Sequence, residues 1–312
     1  MNNDILDNNS RIFIASKIFM YHKLNKILDY NAINEIIISL IKAYKLENYI
    51  KEVKCEEIEN KDASMAYNYF EKCIYVSPNF IKSIYRSSEQ MLNLFRIQDK
   101  LMATNLDILH SILHEVNHAK QYKHIKEVGN DLKSTLFTKS LSSYSLHLSY
   151  EIEDNLGIPR GETKISKELT EFAKVSQNNM NIYKTLPSEI DAEMEATKQV
   201  KWVCEKMSSG ETYKYIDFYQ MTINLMIVSS YKQKLFSIDY PVKNFIKYRN
   251  KYVVDDNLNL KDEIINSKNM SFDERVNLGL PITKKELQTI NNNIKDKLEE
   301  LRDYNIRYNI NS

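Results

Sequence analysis

Hydrophobic positions along the 312-residue chain recur mostly at helical spacing. Ile12, Ile14, Ile18, Phe19 and Leu24 form one apolar stripe, and Asn31 to Tyr44 carries a second, so residues 11 to about 46 predict two helices. The rhythm changes from about Tyr49 to Ser77. Met65 to Phe70 and Lys72 to Ser77 are short aromatic or β-branched runs separated by Glu71, which predicts a strand pair stopping before Pro78. Helical spacing then resumes. Asn105 to about Glu127 predicts a long helix, with Asn105 as cap, Asp107 in the first turn and Gly129 beyond the end. Asp131 to Asp154 predicts a second, followed by a turn around Gly157, Pro159 and Gly161. Ser188 to about Met207 predicts a third, capped by Ser188 and closed by Gly210. Residues 211 to 312 read as further helix, with a polar break at Asp255 to Asn269. A final amphipathic stretch runs from Thr283, placed to cap, to about Tyr304. No internal repeat is visible.

Composition sharpens this picture. Five glycines and five prolines leave few breakers, which favours a mainly α protein with a small antiparallel sheet. Forty-three basic against 42 acidic side chains give a net charge of +1, so nothing in the overall charge calls for nucleic acid or an anionic membrane as partner. Cys55, Cys73 and Cys204 are far apart and lack CxxC spacing, which predicts free thiols in a reducing compartment. The start lacks a basic region followed by an apolar run, and stretches such as Ile36 to Ile41 are too short to span a bilayer. A cytoplasmic protein is expected.

The candidate chemistry lies in Leu109-His-Ser-Ile-Leu-His-Glu-Val-Asn-His-Ala-Lys-Gln. His114 and His118 are four apart, so on a helix they share a face about 6 Å apart, and two imidazoles so placed can grip one zinc ion. Glu115 stands at the edge of that face. Zinc lowers the pKa of a water it holds to about 7, and a neighbouring carboxylate can take the proton, the role expected of Glu115 as general base. Ile112, Leu113 and Val116 are available to pack the same helix into a core.

A catalytic zinc needs a third protein ligand. The segment Pro187-Ser-Glu-Ile-Asp-Ala-Glu-Met-Glu-Ala offers carboxylates at helical spacing, and a solvated acidic helix start is the plainer reading of that run. With HExxH upstream, however, the chain resembles the gluzincin branch of the zincin metallopeptidases over about residues 65 to 207. The resemblance implies that Glu189 is the third ligand and that Glu193 orients the first histidine, although the family more often has Asp at that second place; Asp191 and Glu193 are the other carboxylates of the segment that could bind the ion instead. It further implies a zincin-like α+β catalytic domain at 61–210, between a helical segment at 1–60 and a helical region at 211–312. The implied activity is zinc-dependent hydrolysis of peptide or protein substrates. In such folds the edge strand pairs with bound peptide, and Lys72 to Ser77 is the expected segment, an ordinary core hairpin being the competing reading.

His124 is the alternative third ligand, because His118 to His124 has the spacing of the metzincin motif. Gln121 stands where that motif has the glycine that lets the chain leave the helix, so the helix is expected to run on past His124. His110 lies eight residues before His118, about 12 Å along the axis, too far for all three histidines to share one ion. It reads as a polar neighbour of the site. His22 reads as structural or exposed. Tyr150, His147 and Tyr183 are candidates for stabilising a transition-state oxyanion. A reading of a different class is a non-catalytic helical interaction protein that keeps the fold, but Glu115 would have no use there.

Overall fold

The computed structural model describes residues 6–58, 63–80, 95, 97–128, 133–134, 137, 150, 153–154, 156–164, 166–167, 170, 187–207, 212–232, 270–277 and 282–309. The protein is mainly helical with one small three-stranded sheet. Two helices open the chain, α1 (Asn8–Lys23) and α2 (Tyr30–Tyr44), followed by strands β1 (Glu52–Cys55), β2 (Met65–Asn68) and β3 (Cys73–Val76). The later helices are α3 (Lys100–Glu127), α4 (Pro187–Met207), α5 (Thr212–Lys232), α6 (Phe272–Asn277) and α7 (Lys284–Asn309). Among the described residues no helix is long and apolar enough to cross a membrane.

The chain divides into two compact units. The first comprises Met1–Lys123, Ala192–Ile223 and Asn292–Ser312. Its core is built from the apolar faces of its elements: Ile14 and Ile18 of α1, Ile33, Ile36, Ile37 and Leu40 of α2, and Ile74 and Val76 of β3 are all buried. Leu109, Ile112, Leu113 and Val116 bury one face of α3, as their spacing predicts, and Val200 and Val203 do so for α4. Each such side chain contributes about 1.5–3 kcal/mol by leaving water, which fixes the rotation of the helix that bears it. Aspartates start the helices: Asp7 accepts from the Asn9 and Ser10 amides, and Asp29 from that of Ala32. Hydrogen bonds from Ser10 hold the Asp7 carboxyl below its ordinary value, and the Ala32 amide does the same for Asp29.

Helix α3 begins earlier than the sequence pattern suggests. Asp99 caps it, its Oδ1 accepting from the Met102 amide at 2.9 Å, while its Oδ2 lies 2.7 Å from His22 Nε2. Asn105 is therefore not the cap. It is buried in the second turn, where Oδ1 accepts the Leu28 amide at 2.8 Å and Nδ2 donates to the Lys26 carbonyl at 3.2 Å. Likewise α4 starts at Pro187, a residue suited to a first helical position because its missing N–H would be orphaned there anyway. Ser188 is consequently inside the helix and buried.

The expected strand pair forms, but the sheet is mixed and not simply antiparallel. Its order is β1-β3-β2, with β3 parallel to β1 and antiparallel to β2. The expectation that Lys72 to Ser77 forms a substrate-side edge is overturned, since β3 is hydrogen-bonded on both sides. The edges are β1 and β2. Between β2 and β3, Asn68 Oδ1 accepts the amides of Phe70 (2.9 Å) and Glu71 (3.1 Å), and Lys72 takes a left-handed conformation to complete the turn. Ser77 N–H donates to the Ser64 carbonyl at 3.0 Å. Because bonded pairs alternate along an antiparallel ladder, Ala66 and Asn68 then face β3 while the Tyr67 amide points away from it, on the side of β2 where no strand pairs among the described residues.

The second unit comprises His124–Asp191 and Asn224–Asn291. Glu153 organises one loop in it, accepting from the amides of Gly161 (2.7 Å) and Thr163 (2.8 Å) and from the Ser166 hydroxyl. Burial pushes this carboxyl up, but the hydrogen bonds from Ser166, Thr163 and Gly161 outweigh it and bring it down to about 2. Gly157 and Gly161 supply the left-handed backbone that lets the loop fold back. Reciprocal capping boxes begin α6 (Ser271 with Glu274) and α7 (Thr283 with Glu286), the latter at the expected cap.

Candidate metal centre

Helix α3 carries His114, Glu115 and His118 in its middle, far from either fraying end. Its buried face anchors the helix through Leu113 and Val116, which flank the first two of these residues. The ligand-capable atoms of the three lie within 4.8 Å of one another, a group that could hold a metal ion. His114 Nε2 and His118 Nε2 are 3.1 Å apart with their rings nearly perpendicular. Two nitrogens bound tetrahedrally to zinc at 2.0 Å would be separated by about 3.3 Å, so the pair fits the ion closely.

The far side of each ring strengthens the fit. His118 Nδ1 lies 2.9 Å from Gln121 Oε1. His114 Nδ1 lies 3.5 Å from Glu193 Oε1 on α4. An imidazole nitrogen facing an oxygen acceptor carries the proton, which leaves Nε2 with its lone pair. Two such lone pairs facing each other at 3.1 Å repel unless a cation or a proton stands between them. Either a shared proton or a bound cation would relieve that repulsion, so the group is one that could hold a metal ion.

Glu115 is turned toward the sheet. Its Oε2 accepts the outward-pointing Tyr67 amide of β2 at 2.8 Å, which fixes the carboxylate beside the histidine pair. The Tyr67 ring is buried, with its hydroxyl donating to the Tyr49 carbonyl at 2.7 Å, and burial pushes that hydroxyl far above its ordinary value. Tyr69, Tyr122 and Tyr49 continue this aromatic layer through edge-to-face contacts at 5.1–5.8 Å.

Glu193 spans two histidines. Its Oε2 lies 3.4 Å from His110 Nε2, while its Oε1 faces His114. His110 is buried, 3.2 Å from the Thr197 hydroxyl and stacked parallel on the Tyr219 ring at 4.2 Å. Desolvation drives its pKa down to about 4, with Glu193 opposing and His114 adding to the fall, so His110 is neutral. The Tyr219 hydroxyl donates to Asp107 Oδ1 and is raised well above its ordinary value by burial and by that carboxylate.

Of the residues singled out in the sequence, His114, Glu115 and His118 come together, and Glu193 reaches His114. Glu189 is buried in the first turn of α4 and lies outside the group of three; it precedes Glu193 by one turn, on the same helical face. His124 remains on α3, which continues to Glu127 without a left-handed residue, so it is about 9 Å beyond His118 along the axis and on another face. Tyr150 is half-buried, while His147 and Tyr183 fall outside the described residues. The three cysteines are free, Cys55 exposed and the other two buried, and burial pushes the Cys204 thiol up to about 12.

Gln121, Tyr67 and Tyr219 were not foreseen as parts of the site. Only Gln121 had a local signal, since a side chain three residues past His118 on a helix is within its reach. No protein-family model matches the sequence, and no curated protein or solved structure matches it.

Proposed function

We propose that the protein is a zinc-dependent peptidase of zincin type, with His114, His118 and Glu189 as metal ligands and Glu115 as general base. The observation that carries this reading is the opposed pair of Nε2 atoms, 3.1 Å apart, each ring backed by an oxygen acceptor and flanked by one carboxylate. Glu189 is put forward for its position one turn before Glu193 on α4 and for the resemblance described above. Bound zinc would supply a Lewis acid for the scissile carbonyl and lower the pKa of water to about 7. Before a peptide binds, the Tyr67 amide holds Glu115 by Oε2 beside the histidine pair; in the reaction the carboxylate takes a proton from attacking water and passes it to the leaving amine. Glu193 holds the His114 imidazole in the tautomer that presents Nε2. An extended peptide is accommodated along the outer edge of β2, the strand nearest Glu115, by main-chain hydrogen bonding.

Elemental analysis together with cleavage of a mixed peptide library tests the proposal. One zinc per chain is expected, retained by Glu115→Gln while hydrolysis is lost, and diminished by Glu189→Gln. A wild-type protein that takes up no zinc would refute the assignment. Zinc retained by Glu189→Gln and lost by His124→Ala would replace Glu189 by His124.

A further inference from the structure

We propose that Gln121 is a positioning residue that selects the metal-binding tautomer of His118, an inference that rests on the zinc reading above. Gln121 follows His118 by one helical turn and is only 2% exposed, so its amide oxygen, 2.9 Å from Nδ1, cannot readily be replaced by bulk water. The helix keeps its own carbonyls in backbone bonds around this position, because α3 runs unbroken from Lys100 to Glu127.

The choice between tautomers has a large consequence here. With the proton on Nδ1, His118 donates to Gln121 and presents a bare Nε2 to the ion. With the proton on Nε2, His118 can donate to His114 Nε2 instead, across the same 3.1 Å. That second arrangement is a self-bonded histidine pair, which occupies the place of the metal with a hydrogen. An oxygen acceptor at residue 121 favours the first state, and an apolar side chain of the same length favours the second. Gln121 therefore has a chemical role beyond continuing the helix where another chain geometry would need glycine.

The test is zinc affinity by chelator competition for wild type, Gln121→Met, Gln121→Leu and Gln121→Glu. Methionine and leucine preserve helix propensity and much of the volume but remove the acceptor, whereas glutamate keeps an acceptor and adds charge. Affinity is expected to fall about 10- to 100-fold for the two apolar variants and to be equal or tighter for Gln121→Glu. In the zinc-loaded protein, NMR should show a hydrogen-bonded His118 Nδ1–H in wild type and Gln121→Glu and a weakened one in the apolar variants. A packing role alone would not move that signal, nor would Gln121→Glu rescue it. Wild-type affinity in Gln121→Met or Gln121→Leu overturns the proposal while leaving the zinc site standing. If neither apolar variant folds, a more than tenfold loss in Gln121→Glu overturns it. Absence of zinc from the wild type overturns the proposed function and this inference together.

Discussion

The two histidines of the candidate centre are supported in opposite ways. His118 is held from within its own helix, by a side chain one turn away at 2.9 Å. His114 is held from another helix, by Glu193 at 3.5 Å, and Glu193 also faces His110, which in turn meets the Thr197 hydroxyl and stacks on Tyr219. The first support lies within one turn of α3 and needs no second helix to supply a partner. The second exists only when α3, α4 and α5 have packed, so it ties the geometry of the site to the tertiary fold. Local support gives precision at little entropic cost, while distant support would make any metal binding depend on the packing of the fold.

Removing a ligand should erase the comparison altogether. His114→Ala and His118→Ala are each expected to weaken zinc binding by on the order of a thousandfold, taking roughly 12 kcal/mol of binding shared among three protein ligands. Chelator competition would show this, and near-wild-type affinity in either variant would mean that the ion does not use the pair. Glu115→Gln should leave both supports and the metal in place while lowering hydrolysis by about 10²–10⁴-fold. Substantial residual turnover would move the base to another residue.

The distant support can be broken separately. Glu193→Ala should reduce zinc affinity about 10- to 100-fold and leave the His118 Nδ1–H signal unchanged by NMR. Loss of both signals would show that the two supports are coupled. A pH series sharpens the contrast further. His110 has a pKa of about 4 when folded and an ordinary value near 6.5 when unfolded, so the unfolded chain binds its proton first as pH falls. The stability of the metal-free protein is therefore fully present above about pH 6.5. It declines between pH 6.5 and 4, by about 3 kcal/mol from this group alone. The groups facing His110 are Glu193, Thr197, His114 and Tyr219, the last anchored to Asp107. His110→Phe keeps a ring against Tyr219 and should flatten that decline in denaturant titrations. An unchanged slope would assign the acid sensitivity elsewhere.

The parts of this architecture that depend on local pattern were the legible ones. The spacing of Ile112, Leu113 and Val116 gave the buried face of α3 and thereby the common face of His114 and His118. β2 and β3 were visible as adjacent apolar runs. β1 was not, because Glu52-Val-Lys-Cys is short and half charged, and its strand state comes from direct parallel pairing with β3, which follows β2 in the chain. Helix starts went astray where two polar residues competed. Asp99 outdid Asn105 because the apolar face extends a turn earlier, through Met102 and Ala103, and Asn105 was drawn into a buried bridge to Lys26 and Leu28. Gln121 entered the sequence reading only as a helix former that keeps His124 away from the metal. Its acceptor role depends on side-chain direction, which spacing permits but does not determine. The Tyr67 contact to Glu115 depends on where a sheet edge lies, and no local pattern encodes that.

That contact makes one backbone hydrogen do two jobs. The Tyr67 amide points out from the edge of β2, where an added strand would seek a donor, and it is held by Glu115 Oε2 at 2.8 Å. A guest strand and the carboxylate therefore compete for a single proton donor. Whichever wins displaces the other, so docking along β2 and release of Glu115 from its tether are two sides of one exchange equilibrium.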